Sequence, residues 1–455
     1  MKKTIVVIVM LLMLLLAVPM PIGTSDTTIS TSLAFDVMPL KEDFIEIANT
    51  DTEPAGGELE DPTPFWVDIV NAEYYPNGGE GIYVAVLDTG LLAQWPFFFP
   101  HANIKTEWGK GFTHDVWWND TLGDFEWGPL RDDRGFITKA FEGSGHGTHV
   151  TSTIVGYNFN NLFIVGGVAP KATIIPVLVL DAWQVSYPEG IARFTGGSWE
   201  MVSAGIYYVA NLAEEHNAKI IISMSLGGGS PSPMIEEAIN YAISKGVIVV
   251  ASAGNTGYAG MGWPGAYPQV ISVGAGGWTM QWVGYPPSDP PTPYRWWLTD
   301  VPEKLNTVDY WGNNWQIYLE DFSSRPNLDL GQKSYHLDVT SVGASVVGPY
   351  KGYFSETIGY YYLWGTSMSA PHVSGIAAIV LQQHPHLNQY AMETILKNAA
   401  QRHPLACDGA YVRDPWGFWH FEWYGIDWGA GWLTADKAMF AAYVFTRGRF
   451  APIPV

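Results

Sequence analysis

Four residues pair a reactive or polar side chain with a nearby glycine. They are Asp88 in VAVLDTG (84–90), His146 in GSGHGTHV (143–150), Asn255 in VASAGN (250–255) and Ser367 in GTSMSAPHVSG (365–375). An acid can orient an imidazole, and a neutral imidazole can take the proton of a hydroxyl. A carboxamide N–H can stabilise an oxyanion without trapping a charge. The set therefore reads as nucleophilic catalysis by serine. Each residue also has a plainer reading: Asp88 and Asn255 as turn residues, and the serine as a helix cap. His149 lies three residues after His146, but no acid falls at the HExxH spacing and no third ligand is evident, so no metal ligand is assigned.

The nucleophile has two candidates, Ser367 and Ser369, and His372 follows closely. Gly365 permits a sharp turn, Pro371 is tolerated in a first helical turn, and Ile376, Ala377, Ile379 and Val380 supply a buried helix face beyond. Ser367 therefore falls where a loop meets a helix N-terminus, and unpaired N–H groups and the helix dipole favour negative charge there. Ser369 points to another face, and His372 is expected to pack inside the helix. A helix is also predicted over Thr148 to Val155, with His146 at its start, where the dipole disfavours imidazolium.

The elements that must position these groups are legible as apolar runs broken by glycines. IYVAVLDTG (82–90), ATIIPVLVL (172–180), KIIISMSLGGG (219–229), VIVVASAGN (247–255) and VISVGA (270–275) read as strands. Several are apolar almost throughout, as suits parallel strands buried on both faces. Ile235, Ala238, Ile239, Ala242 and Ile243 follow helical spacing, with Gly246 at the stop. Strand, helix, strand in this order predicts an α/β fold with a doubly wound, mostly parallel sheet. Ligand groups in such sheets sit at the carboxyl ends of strands. Residues 276–335, rich in Pro and Trp, show no clean period and read as a surface insertion.

With 47% apolar residues among 455, a large core is available. A formal charge of −21 argues against nucleic acid as a partner. Cys407 is the one cysteine, which excludes an intrachain disulfide and a cysteine-based zinc site. Residues 1–25 carry Lys2 and Lys3, an apolar run over 5–18, then Pro19, Pro21 and small residues. This reads as a secretory signal peptide; an uncleaved anchor is the other reading. The mature chain is expected outside the membrane, without a span. Residues 26–62 read as an acidic linker or short pro-segment, and 63–455 as the main domain.

The four motifs, in the order Asp88, His146, Asn255, Ser367, resemble the subtilisin-like serine proteases (subtilases, peptidase family S8). Lesser likenesses run from about residue 64 to about 440, including GVAPKATIIPVLVL (167–180) and YGIDWGAGWLTADKAM (424–439). The resemblance implies a three-layer subtilisin-like fold and a secreted serine endopeptidase acting on polypeptides without a cofactor. In it, Ser367 is the nucleophile, His146 the base, Asp88 its orienting acid and Asn255 an oxyanion donor. Ser225, Leu226 and Gly227 match one pocket segment, and Ala251, Ser252, Ala253 and Gly254 another, both expected to pair with an extended substrate. These segments carry no acid, so an apolar or broad preference before the cut is expected. Structural calcium is common in the family, but its ligands have no residue-by-residue match here. His146 and Asn255 argue against the sedolisin branch, where Glu and Asp stand in their places. Two further readings are a catalytically silent surface-binding protein and a protease processing a surface layer.

Overall fold

The apolar runs become strands because each supplies apolar residues to two opposite faces. The computed structural model describes residues 28–29, 63–139, 144–279, 317–351, 358–401, 410–414 and 417–448. Nine strands form the central sheet: β1 (Tyr83–Asp88), β2 (Lys110–Asn119), β3 (Asp124–Arg134), β4 (Thr173–Leu178), β5 (Ile220–Met224), β6 (Ile248–Ser252), β7 (Ile271–Trp278), β8 (Ile317–Leu319) and β9 (Val339–Val342). Their order is β8-β7-β6-β5-β1-β4-β2-β3, with β9 also paired to β7. The pairings from β9 and β7 through β6, β5, β1 and β4 to β2 are parallel. Those of β8 with β7 and of β3 with β2 are antiparallel.

Two cores sandwich this sheet. Val84 and Val86 of β1 enter one, and Ala85 and Leu87 enter the other. Val250 and Ala251 of β6 divide in the same way. The first core is covered by α1 (His146–Val155), α4 (Thr366–Gln383), α5 (Gln389–Ala399) and α6 (Ala435–Thr446); the second by α2 (Trp199–His216) and α3 (Pro233–Ser244). This is the expected three-layer α/β architecture. Each fully buried Val or Leu side chain contributes about 1.5–3 kcal/mol. α3 buries Ile235, Ala238, Ile239 and Ala242 and stops before Gly246, whose φ is 82°. Ile243, expected on the same stripe, is only half-buried.

The strand order reverses at β1. From β1 the chain passes first to β2 and β3 at one edge, returns to β4 beside β1, and then builds outward on the other side through β5, β6 and β7. Such a reversal opens a crevice at the carboxyl ends of the strands, and Asp88 is the last residue of β1.

Three expectations change. The insertion predicted over 276–335 is narrower: Gly276–Trp278 belong to β7 and pair with Ile317–Leu319. Ser323, Ser324 and Arg325 are buried. Glycine hid the strand period because a Cβ at Gly277 would lie 2.6 Å from the Tyr318 ring. Second, α4 begins at Thr366, so Pro371 is its sixth residue rather than part of its first turn. Third, α1 starts at His146, two residues before the predicted Thr148. The leader expected over 1–25 lies outside the described residues. Within 26–62 only Thr28–Ile29 are described, paired antiparallel with Ser198 and Gly197.

Candidate active site

Positions 84, 86 and 88 of β1 share the face covered by α1 and α4, so strand alternation delivers the Asp88 carboxylate to the start of α1. Close approach requires glycine: a Cβ on Gly147 would collide with the Gly90 carbonyl and come 3.2 Å from Asp88 Oδ1. Thr89 fastens the two ends. Its hydroxyl donates to the Ser144 carbonyl at 2.9 Å and accepts from the Gly147 N–H at 2.9 Å.

His146 Nδ1 lies 2.8 Å from Asp88 Oδ1 and 2.9 Å from Oδ2, and both residues are buried. The Thr89 N–H also donates to Oδ1 at 2.6 Å. An ionised carboxylate only accepts, so Nδ1 must carry the proton. In the neutral ring the basic lone pair is then on Nε2.

Ser367 is the second residue of α4 and is buried. Asn255 follows β6, and its Oδ1 accepts from Thr366 N–H at 2.9 Å and Thr366 Oγ1 at 2.8 Å. Thr366 N–H is one of the donors that a helix start leaves without an internal acceptor. Gly365 has no side chain to cap it, so Asn255 does so from the loop after β6. With Oδ1 engaged, the amide hydrogens of Asn255 point away from Thr366. The structure thus joins Asp88 to His146, and Asn255 to the residue preceding Ser367.

The other titratable neighbours are set aside by burial. His372 Nδ1 lies 2.7 Å from the Met368 carbonyl, and burial pulls its pKa down to about 4. His149 Nε2 meets the Val346 and Tyr361 carbonyls, and burial, then His146, lower its pKa to about 3. The Ser369 hydroxyl donates to the Ser341 carbonyl at 3.3 Å. Among the described residues no group of three or more His, Cys, Asp or Glu is arranged to hold a metal ion.

Sequence reading missed what Pro371 does. A proline has no N–H, so the carbonyl four residues earlier, that of Ser367, loses its helical donor. The Ser225 hydroxyl takes that place, donating to Ser367 O at 2.7 Å. The segment after β5 is thereby tied to the serine. Ser225→Ala is expected to leave this buried carbonyl unsatisfied and cost about 1–3 kcal/mol. In a Pro371→Ala background, where residue 371 regains an N–H, the same change should cost less than half as much. Urea unfolding of the four variants measures this; simply additive losses would contradict the compensation.

The two pocket segments sit differently relative to their strands. Ala251 lies inside β6, paired to Met224 and Ser272, with its methyl in the second core. Ala253 N–H donates to Val273 O, and its carbonyl accepts from Gly262. Gly254 N–H donates to Thr366 Oγ1, and its carbonyl accepts from Ser324 N–H. Ala251, Ala253 and Gly254 thus have backbone groups engaged within the fold. The strand ends only at Ser252, a boundary the apolar run conceals. Ser225, Leu226 and Gly227 lie beyond the end of β5, and Gly228 then bridges to Trp263.

The subtilase family model matches residues 79–413, and the chain belongs to that family. It is 30% identical over 322 residues to M-protease of Shouchella clausii (strain KSM-K16), covering 71% of this chain and 60% of that protein. It is equally identical over 322 residues to Subtilisin Savinase of Lederbergia lenta, covering 71% of this chain and 84% of that protein. The chain therefore spans about 60% of the length of M-protease. The solved structure of Sphericase is 25% identical, with a TM-score of 0.49, over 86% of this chain and 96% of that one.

Proposed function

We propose that this chain is a secreted serine endopeptidase that hydrolyses peptide bonds through an acyl-enzyme intermediate. The observation that carries the reading is the buried pair of Asp88 with His146 Nδ1, at 2.8 and 2.9 Å. It leaves a basic Nε2 on a ring whose tautomer is fixed. Ser367 attacks the substrate carbonyl carbon as His146 Nε2 takes its proton. Asp88 holds the ring and stabilises the imidazolium. The oxyanion is bound by Asn255 Nδ2 and the Ser367 N–H. His146 then gives its proton to the leaving amine. Water repeats the sequence, releasing the acid and restoring the hydroxyl.

The substrate lies extended along Ser225, Leu226 and Gly227, beyond the end of β5, as an added strand. No acid lies in Ser225–Gly227 or Ser252–Gly254, which supports an apolar or broad preference before the cut. The relatives named a protease and a subtilisin support the reaction class. Secretion rests on residues 1–25, with 26–62 as linker or short pro-segment and 63–455 as the peptidase domain. No helix among the described residues is long and apolar enough to cross a membrane. Catalysis as written uses no cofactor; a structural calcium has no assigned ligands.

The test uses the chain without residues 1–25, a fluorophosphonate probe and a denatured protein substrate. Labelling with cleavage is the expected result. If neither occurs, the enzyme reading falls and the silent binding fold takes its place.

A further inference from the structure

The loop that bears Asn255 carries one short 3-10 turn, Gly257–Ala259. A second loop, Phe322–Arg325, fastens it on both sides of Asn255. Gly257 N–H donates to the Phe322 carbonyl at 2.8 Å. Ser324 N–H donates to Gly254 O, and Arg325 N–H to Gly257 O, each at 2.9 Å. Thr256 N–H donates to Ser324 Oγ at 3.1 Å. Residues 254, 256 and 257 are thus fastened on both sides of Asn255, leaving its amide to be aimed by this frame.

The frame is held by a buried cation. Arg325 is only 2% exposed. Its Nη1 donates to the Asp321 carbonyl at 2.6 Å, Ser323 O at 2.7 Å and Glu320 O at 3.2 Å, closing the loop on itself. The guanidinium lies 4.6 Å from the centre of the Tyr258 ring, and its Nε is 3.7 Å from Asp427 Oδ2. Asp427 Oδ2 also accepts from Tyr258 OH at 3.0 Å and from the Tyr424 N–H at 2.8 Å. One side chain therefore joins the loop after β8, the loop after β6 and the segment before α6. Burying a cation is costly unless it is paired and hydrogen-bonded. This one has three carbonyls on Nη1, an aromatic face and Asp427 at ion-pair distance, while its buried Nε and Nη2 make no hydrogen bond among the described residues.

We infer that Arg325 is a positioning residue for the oxyanion site: it rigidifies the loop that aims Asn255. This rests on the reading of Asn255 as the oxyanion donor. Guanidinium geometry matters, since an ammonium set on those three carbonyls has no planar face to lay against Tyr258 and no second nitrogen to turn toward Asp427.

The test measures kcat and KM for Arg325→Met, Arg325→Lys and Ser324→Ala, each alone and with Asn255→Ala. Displacing a catalytic donor by about 1 Å costs on the order of 100-fold. Arg325→Met is expected to lower kcat about 10–100-fold with KM within about twofold, and Arg325→Lys to recover only part of that. Ser324→Ala, a milder change that spares the guanidinium, should lower kcat about threefold. In the Asn255→Ala background all three effects should shrink to less than about twofold. Additive losses would overturn the inference, as would a lowered melting temperature with unchanged kcat. A second readout needs no activity. Hydrogen exchange of the peptide spanning 253–260 should quicken in Arg325→Met, and unchanged protection there would overturn the inference even if the chain proved not to be a peptidase.

Discussion

Replacing Ser367 by alanine is expected to lower turnover of a denatured protein substrate by on the order of a million-fold, the usual cost of losing one member of such a catalytic unit. Among the described residues, neither Ser369 nor His372 is placed to stand in for the proposed nucleophile. Ser369 is two residues further along α4, fully buried, with its hydroxyl on the Ser341 carbonyl and Gly343 packed against it. His372 is buried, with Nδ1 on the Met368 carbonyl. Ser369→Ala should therefore retain activity within about threefold and lose only about 1 kcal/mol of stability, the net worth of a neutral hydrogen bond. Hydrolysis assays of both variants, alongside probe labelling, decide the matter. Labelling that survived in Ser367→Ala but vanished in Ser369→Ala would move the nucleophile two residues.

Asn255→Ala is the second large effect, about 100–1,000-fold in kcat with little change in KM. A complication is visible in the structure. The Asn255 oxygen caps α4 through Thr366, so alanine removes a cap as well as a donor. Losing a cap alone would cost about 1 kcal/mol of stability and leave the rate nearly intact. Asn255→Asp separates the two roles. Its carboxylate still accepts from Thr366 but has no N–H to offer and adds a negative charge beside the oxyanion. It should melt near the wild-type temperature and turn over at least as slowly as Asn255→Ala. An Asn255→Asp variant with near-normal kcat would reduce Asn255 to a cap.

Much of the framework was legible because parallel strands buried on two faces leave unbroken apolar runs. VAVLD, IIISM and IVVAS all became strands of the central sheet. Asp88, His146, Asn255 and Ser367 stood out because glycines mark close backbone approaches, and Gly147 against Asp88 is one such contact. Boundaries were less legible. Gly276 and Gly277 lie in β7 but read as loop, because the Tyr318 ring and backbone take the space that side chains would need. The end of β6 at Ser252 was hidden because an apolar strand and the turn after it differ little in composition.

The sequence by itself determined the layer architecture, the chemical types available and which serine begins a helix, since these depend on residue period and local turn chemistry. Tertiary structure decided the rest. It put Asp88 against Nδ1 of His146, assigned the Ser225 hydroxyl to the carbonyl freed by Pro371, and fastened the Asn255 loop to Arg325, 70 residues downstream. A hydrogen bond between distant segments leaves no periodicity in either one. It exists only once the sheet has brought strand ends together in a place dry enough for every buried donor and acceptor to require a partner.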